Sequence, residues 1–130
     1  MRILIRNVRR TGSEGIESSE KPFDGDVVSI GRATDQIIQL KSRTLPLSHS
    51  ELRDAGSSLT LRATGEDFFF VNGKRSRSSR LGIGDEVEIG EYTLTPREAP
   101  SGYDYALDVE VGEISESEVG FGTNFAQGLE

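Results

Sequence analysis

The apolar residues of this chain come in short runs that alternate or are β-branched, and glycine turns follow one another at close intervals between them. Such a pattern suits strands. It excludes a long amphipathic helix, whose apolar positions would recur every three or four residues. RILIRNV and VVSIGR are β-branched runs, SLTLRA alternates through Leu59, Leu61 and Ala63, and DEVEIG alternates through Val87 and Ile89. YALDVEV puts Tyr105, Leu107, Val109 and Val111 on one face and reads as a last strand. FFFV runs into Asn72–Gly73, a pair that tolerates the positive φ angles of a type I′ hairpin turn. The breaks RTGSEG, DGD, DAGSS, IGDE and APSG supply the turns. The expected fold is all-β, an antiparallel sandwich or barrel.

A length of 130 residues suits one domain with a single core, expected over residues 1–112. After Gly112, EISESEVGFGTNFAQGLE has too little apolar material for a core element, so residues 113–130 read as an acidic linker or disordered tail. The closing Leu129–Glu130 is a candidate cloning scar, in which case the natural chain continues. From Glu98 onward there are eight acidic residues and no basic one, whereas residues 1–97 carry 15 basic against 14 acidic residues. That near-neutral body lacks the electrostatic footprint of a general nucleic-acid binder.

Cysteine is absent and His49 is the only histidine, so disulfides, a thiolate nucleophile and multi-histidine metal sites are excluded. MRILIRNVRR is too charged for a signal peptide or spanning helix, and a cytoplasmic location without membrane contact is the expectation. No Ser–His–Asp set in a plausible order, P-loop or metal-ligand pair points to an enzyme, and no cofactor is implied.

VSIGR, the short run IIQL, a loop leading to His49, then VNGKR and LGIGDEVEIG resemble, in order and spacing, a forkhead-associated (FHA) domain. The resemblance covers roughly residues 1–112 and is carried by Gly31–Arg32, His49, Asn72–Gly73 and Gly84–Asp85. It implies a sandwich of eleven strands whose loops at one end bind phosphothreonine peptides. A phosphate offers three acceptor oxygens and up to two charges, which an arginine with nearby hydroxyls or amides can satisfy.

Carried over residue by residue, the resemblance assigns the phosphate-contacting arginine to Arg32 and leaves gaps elsewhere. The family's Ser–Arg–x–His loop falls on Pro46–Leu47–Ser48–His49, so proline stands where a serine would bond the phosphate. The asparagine that holds the peptide backbone in the family falls on Asp67, with Glu66 before it. A lost hydrogen bond to a charged group costs ~1.5–3 kcal/mol. A carboxylate at ~7 Å from a phosphate adds ~0.6–2.4 kcal/mol per unit charge. Together these remove two to four powers of ten in affinity, at ~1.4 kcal/mol for each.

The first reading is therefore a protein-interaction module with a degenerate phosphothreonine pocket, binding a protein or peptide partner weakly or without phosphate, or acting as a scaffold in a longer signalling protein. The second is a phosphopeptide reader whose pocket is rebuilt around Arg32, Arg43 and Ser48, with Ser42 and Thr44 as further hydroxyls. The third is a β-barrel nucleic-acid binder using Arg75, Arg77 and Arg80, ranked last because aromatic residues are missing from that basic run.

Blander readings stand beside these. Arg32 can pair with Asp35 across a turn. Gly31, His49 and Gly73 are expected to brace the loops, and Asn72 is a turn residue that becomes a binding residue only by position. KRSRSSR is expected to be a solvated edge region, since charge protects strand edges from aggregation. Phe68, Phe69 and Phe70 are expected to serve the core, although alternation makes Phe69 a candidate exposed anchor on the opposite face.

Overall fold

The structure, a computed structural model, describes residues 1–10 and 15–111, and no helix among them is long and apolar enough to cross a membrane. The expected acidic tail, residues 113–130, lies outside the described residues. Twelve strands run in chain order: β1 Arg2–Arg10, β2 Ile16–Asp24, β3 Val27–Gly31, β4 Ile38–Gln39, β5 Ser50–Asp54 and β6 Leu59–Ala63. They continue with β7 Phe69–Val71, β8 Lys74–Ser76, β9 Ser78–Leu81, β10 Val87–Ile89, β11 Tyr92–Arg97 and β12 Tyr105–Val111.

They form two sheets, one ordered β2-β1-β12-β11-β10-β7-β8 and the other β4-β3-β5-β6-β9. This is the expected all-β sandwich, with one refinement: both sheets are mixed, because β1 pairs with β12 and β3 with β4 in parallel. Alternation sets which side chains face inward. Ile3, Ile5, Val87, Ile89, Leu94, Leu107 and Val109 of the larger sheet meet Val28, Ile30, Leu52, Leu59, Leu61 and Leu81 of the smaller one, all buried. At ~1.5–3 kcal/mol per large apolar side chain, this layer supplies the main folding drive.

Phe69 is fully buried in that layer, as expected of a core residue rather than the exposed anchor that alternation also allowed, whereas Phe68, expected in the core, is exposed. Val71 shares its face and pairs with the buried Val87, whereas Phe70 lies opposite the exposed Glu88. The basic run 74–80 divides between the sheets. β8 ends the larger one and β9 the smaller, with Arg77 at the crossing, so the expected edge region is two edges.

Candidate functional site

At the end of β3 the chain makes a close pass beneath the loop that leads to β5. Arg32 N donates to Pro46 O at 3.1 Å, Ala33 N to Leu47 O at 3.1 Å, and His49 N to Ile30 O at 2.8 Å. A Cβ on Gly31 would sit 2.2 Å from Leu47 O and 2.9 Å from Ser48 Cα. Both are backbone atoms with little freedom to retreat, so only glycine allows this approach.

The side chains of these loops divide into those used internally and those presented. Arg32 is exposed; its Nε donates to Leu45 O at 2.9 Å, and its two terminal nitrogens have no partner among the described residues. It does not take Asp35 as its partner there. Ser42 is buried and its hydroxyl bonds Thr44 Oγ1 at 3.0 Å. Arg43 and Thr44 are exposed, and Arg43 has no partner among the described residues. Ser48 is exposed with its hydroxyl 3.4 Å from Thr64 Oγ1, and Pro46 beside it is half-buried.

The facing loop, residues 64–68, is held from two sides. Thr64 N donates to His49 O at 3.0 Å, and buried His49 reaches Phe68 O through Nε2 at 3.2 Å and the Ser50 hydroxyl through Nδ1 at 3.1 Å. Burial pushes the His49 pKa down, outweighing the Phe68 carbonyl and the Asp67 charge, which favour the imidazolium. A carbonyl only accepts, so the neutral ring carries its proton on Nε2 and accepts the Ser50 hydroxyl at Nδ1. From the other side Arg77 donates through Nε to Asp67 O at 3.1 Å and through Nη2 to Gly65 O. Glu66 and Asp67 are left as exposed carboxylates on this loop.

Next to this loop the Arg75 guanidinium lies 4.1 Å from the Phe68 ring centroid, and Phe68 meets Phe70 edge-on at 5.6 Å. Sequence reading assigned Arg77 to a solvated edge and gave Arg75 no aromatic partner. The proximity of three phenylalanines to a basic run was the only available signal.

Asn72 is tied to the turn at residues 85–86. With φ of 52° at Asn72 and 84° at Gly73, the pair makes the expected hairpin turn. Asn72 Nδ2 donates to Asp85 Oδ1 at 3.1 Å, and Glu86 N donates to Asn72 Oδ1 at 3.0 Å. Asp85 is held below the usual carboxylate range by Gly82 N at 2.7 Å and then by Asn72. The two turns carried by Asn72–Gly73 and Gly84–Asp85 therefore brace each other.

The contacts join Arg32 to Pro46 and His49 to the loop that carries Asp67, while Ser42, Arg43, Thr44 and Ser48 sit on the same loop as Pro46. Among the described residues no group of three or more His, Asp or Glu is placed to hold a metal ion. The two loops thus carry Arg32 with free terminal nitrogens, the exposed Arg43, the Ser48–Thr64 hydroxyl pair and the exposed carboxylates Glu66 and Asp67.

Residues 28–90 match the family model of the FHA domain. No curated protein matches the chain. Among solved structures, Mycobacterium tuberculosis EmbR in complex with a low affinity phosphopeptide is 17% identical, with a TM-score of 0.53. That match covers 82% of this chain and 25% of EmbR, so the chain spans about a quarter of that protein. The FHA-2 domain of the Mycobacterium tuberculosis ABC transporter Rv1747 is 27% identical over 67% of this chain and 76% of that one, with a TM-score of 0.53. The FHA domain of CT664 from Chlamydia trachomatis is 18% identical over 69% and 90% of the two chains, with a TM-score of 0.52. The matched stretch contains Gly31–Arg32, His49, Asn72–Gly73 and Gly84–Asp85, and the sandwich around it has the fold of FHA domains of known structure.

Proposed function

We propose that this domain is a protein-interaction module of the FHA type whose loop end takes a partner peptide weakly or without need of phosphate, on its own or as a scaffold in a longer chain. The observation that carries this reading is Pro46. It stands where the family's phosphate-binding serine falls, has no hydroxyl to give, and has its carbonyl tied to Arg32 N. Around it Ser42 is committed to Thr44, and Glu66 and Asp67 add negative charge. The EmbR structure with a phosphopeptide supports a peptide as the class of partner. The free terminal nitrogens of Arg32 and the unpartnered Arg43 favour a second reading, a phosphate site rebuilt on these two arginines and Ser48.

The test is calorimetry with a phosphothreonine peptide library and its unphosphorylated twin. The wild-type domain is expected to prefer phosphate by less than about tenfold, because one unassisted arginine contact is worth about 1.4 kcal/mol once the carboxylates oppose it. Pro46→Ser with Glu66→Thr and Asp67→Asn should raise phosphopeptide affinity, and Arg32→Ala in that background should abolish the gain. A wild-type preference of about a hundredfold or more would replace this reading with the rebuilt site.

A further inference from the structure

A second surface, independent of the loop end, lies between the β1–β2 hairpin and the segment 34–41. It is a cleft of about 630 Å³, within the size range of ligand sites. Its apolar floor includes Ile37, Tyr92 and Val111, each half-buried. Its rim carries Arg9, Lys21 and Lys41, and no carboxylate among the described residues lines it, although the chain has a net charge of −7. Lys21 Nζ spans the two walls to Ile37 O at 3.2 Å, and Arg9 and Lys41 have no ion-pair partner among the described residues. Glu17, opposite Arg9 in the β1–β2 register, lines the neighbouring depression instead.

The occupant must then bring negative charge to three cations and aliphatic surface to the floor. A nucleic acid supplies the charge but would need stacking surfaces, and Tyr92 is the only aromatic among the described residues of the lining. We propose that the cleft docks an extended peptide of a partner protein in which carboxylate and aliphatic side chains alternate. Carboxylates then meet Arg9, Lys21 and Lys41, and aliphatic groups cover Ile37 and Tyr92.

The probe is a synthetic unphosphorylated peptide of alternating glutamate and valine, titrated into the full chain beside a glutamine–valine twin. The glutamate peptide is expected to bind about tenfold or more tightly than its twin, with an affinity that falls as salt rises. Arg9→Gln with Lys21→Gln and Lys41→Gln should remove that difference while circular dichroism shows the fold intact, and Arg32→Ala should leave it unchanged. Should the triple variant fail to fold, Lys41→Gln alone with amide shifts at Gln36 and Tyr92 reports the same contact. Equal binding of the twin, indifference to the rim substitutions, or loss of binding in Arg32→Ala would overturn the proposal. Residues 113–119 of the chain, EISESEV, carry related chemistry. Affinity for the probe that rises about fivefold on Glu113→Gln, Glu116→Gln and Glu118→Gln would make the chain itself the occupant and also overturn it.

Discussion

Gly31→Ala is expected to cost about 2–6 kcal/mol of folding stability, a large effect for one methyl group. The added Cβ would lie 2.2 Å from Leu47 O, well inside the 3.4 Å at which ordinary contact begins, and also 2.9 Å from Leu47 C and Ser48 Cα. The loop must retreat by more than an ångström. That movement opens the two bonds that join the segments, Arg32 N to Pro46 O and Ala33 N to Leu47 O, both 3.1 Å long. Each is worth about 0.5–1.5 kcal/mol net, and overpacking adds about 1–3 kcal/mol. Urea denaturation followed by circular dichroism would measure the loss, with an unchanged m-value showing that the comparison is between like states. Because the same bonds place Arg32, peptide binding should weaken even where the variant is fully folded. A variant within about 0.5 kcal/mol of wild type would refute the steric argument.

Asp108, buried between β1 and β11, is pushed up by burial but held below the usual carboxylate range by Arg6 and Arg97, which bond it at 2.7 to 3.1 Å. Asp108→Asn should cost about 1–2 kcal/mol at neutral pH, modest because both arginines are about half exposed, and urea titration would read it. A depressed carboxyl stabilises the fold above its unfolded pKa of ~3.9 and loses that contribution as pH falls through the folded value, so this variant should show a shallower acid slope. His49 is depressed by burial, so the unfolded chain takes up its proton first. Stability should fall as pH drops below ~6.5 and level off beneath the folded value, and an NMR titration showing His49 protonated in the folded state above that pH would contradict this. Asn72→Ala should cost about 1–3 kcal/mol, because it loses two bonds to the 85–86 turn and forces alanine to a φ of 52°; Asn72→Gly should recover part of the loss in thermal melts.

Strand positions were legible because local alternation states which residues share a face. It does not state which face is inner. Three consecutive phenylalanines satisfy either choice, and the choice is made by β10, whose Val87 draws Val71, and Phe69 with it, into the core. The parallel neighbours β1 and β12 stand at opposite ends of the sequence, so no local pattern could pair them. In the loops, Arg32 and His49 were legible through the family resemblance, and the need for glycine at position 31 followed only from the approach of Leu47 O. Arg77 was not legible as a clamp, since its acceptors are backbone carbonyls of residues 65 and 67, which have no side-chain signature. The burial of Ser42 beside exposed Arg43 likewise has no counterpart in residue type.

The parallel pairing of β1 with β12, from Ile3 opposite Tyr105 to Val8 opposite Glu110, determines how the domain answers mechanical tension. A pull applied between Met1 and Val111 draws the two strands past each other along their length. Every rung of the ladder is then strained at once, in shear, whereas an antiparallel pair pulled at the same ends would open one rung after another like a zipper. Rupture under force follows the unfolding rate rather than the equilibrium stability. The fold therefore resists stretching along this axis more strongly than its modest core would suggest, and a tether attached at these two ends transmits force through the sandwich before the sandwich yields.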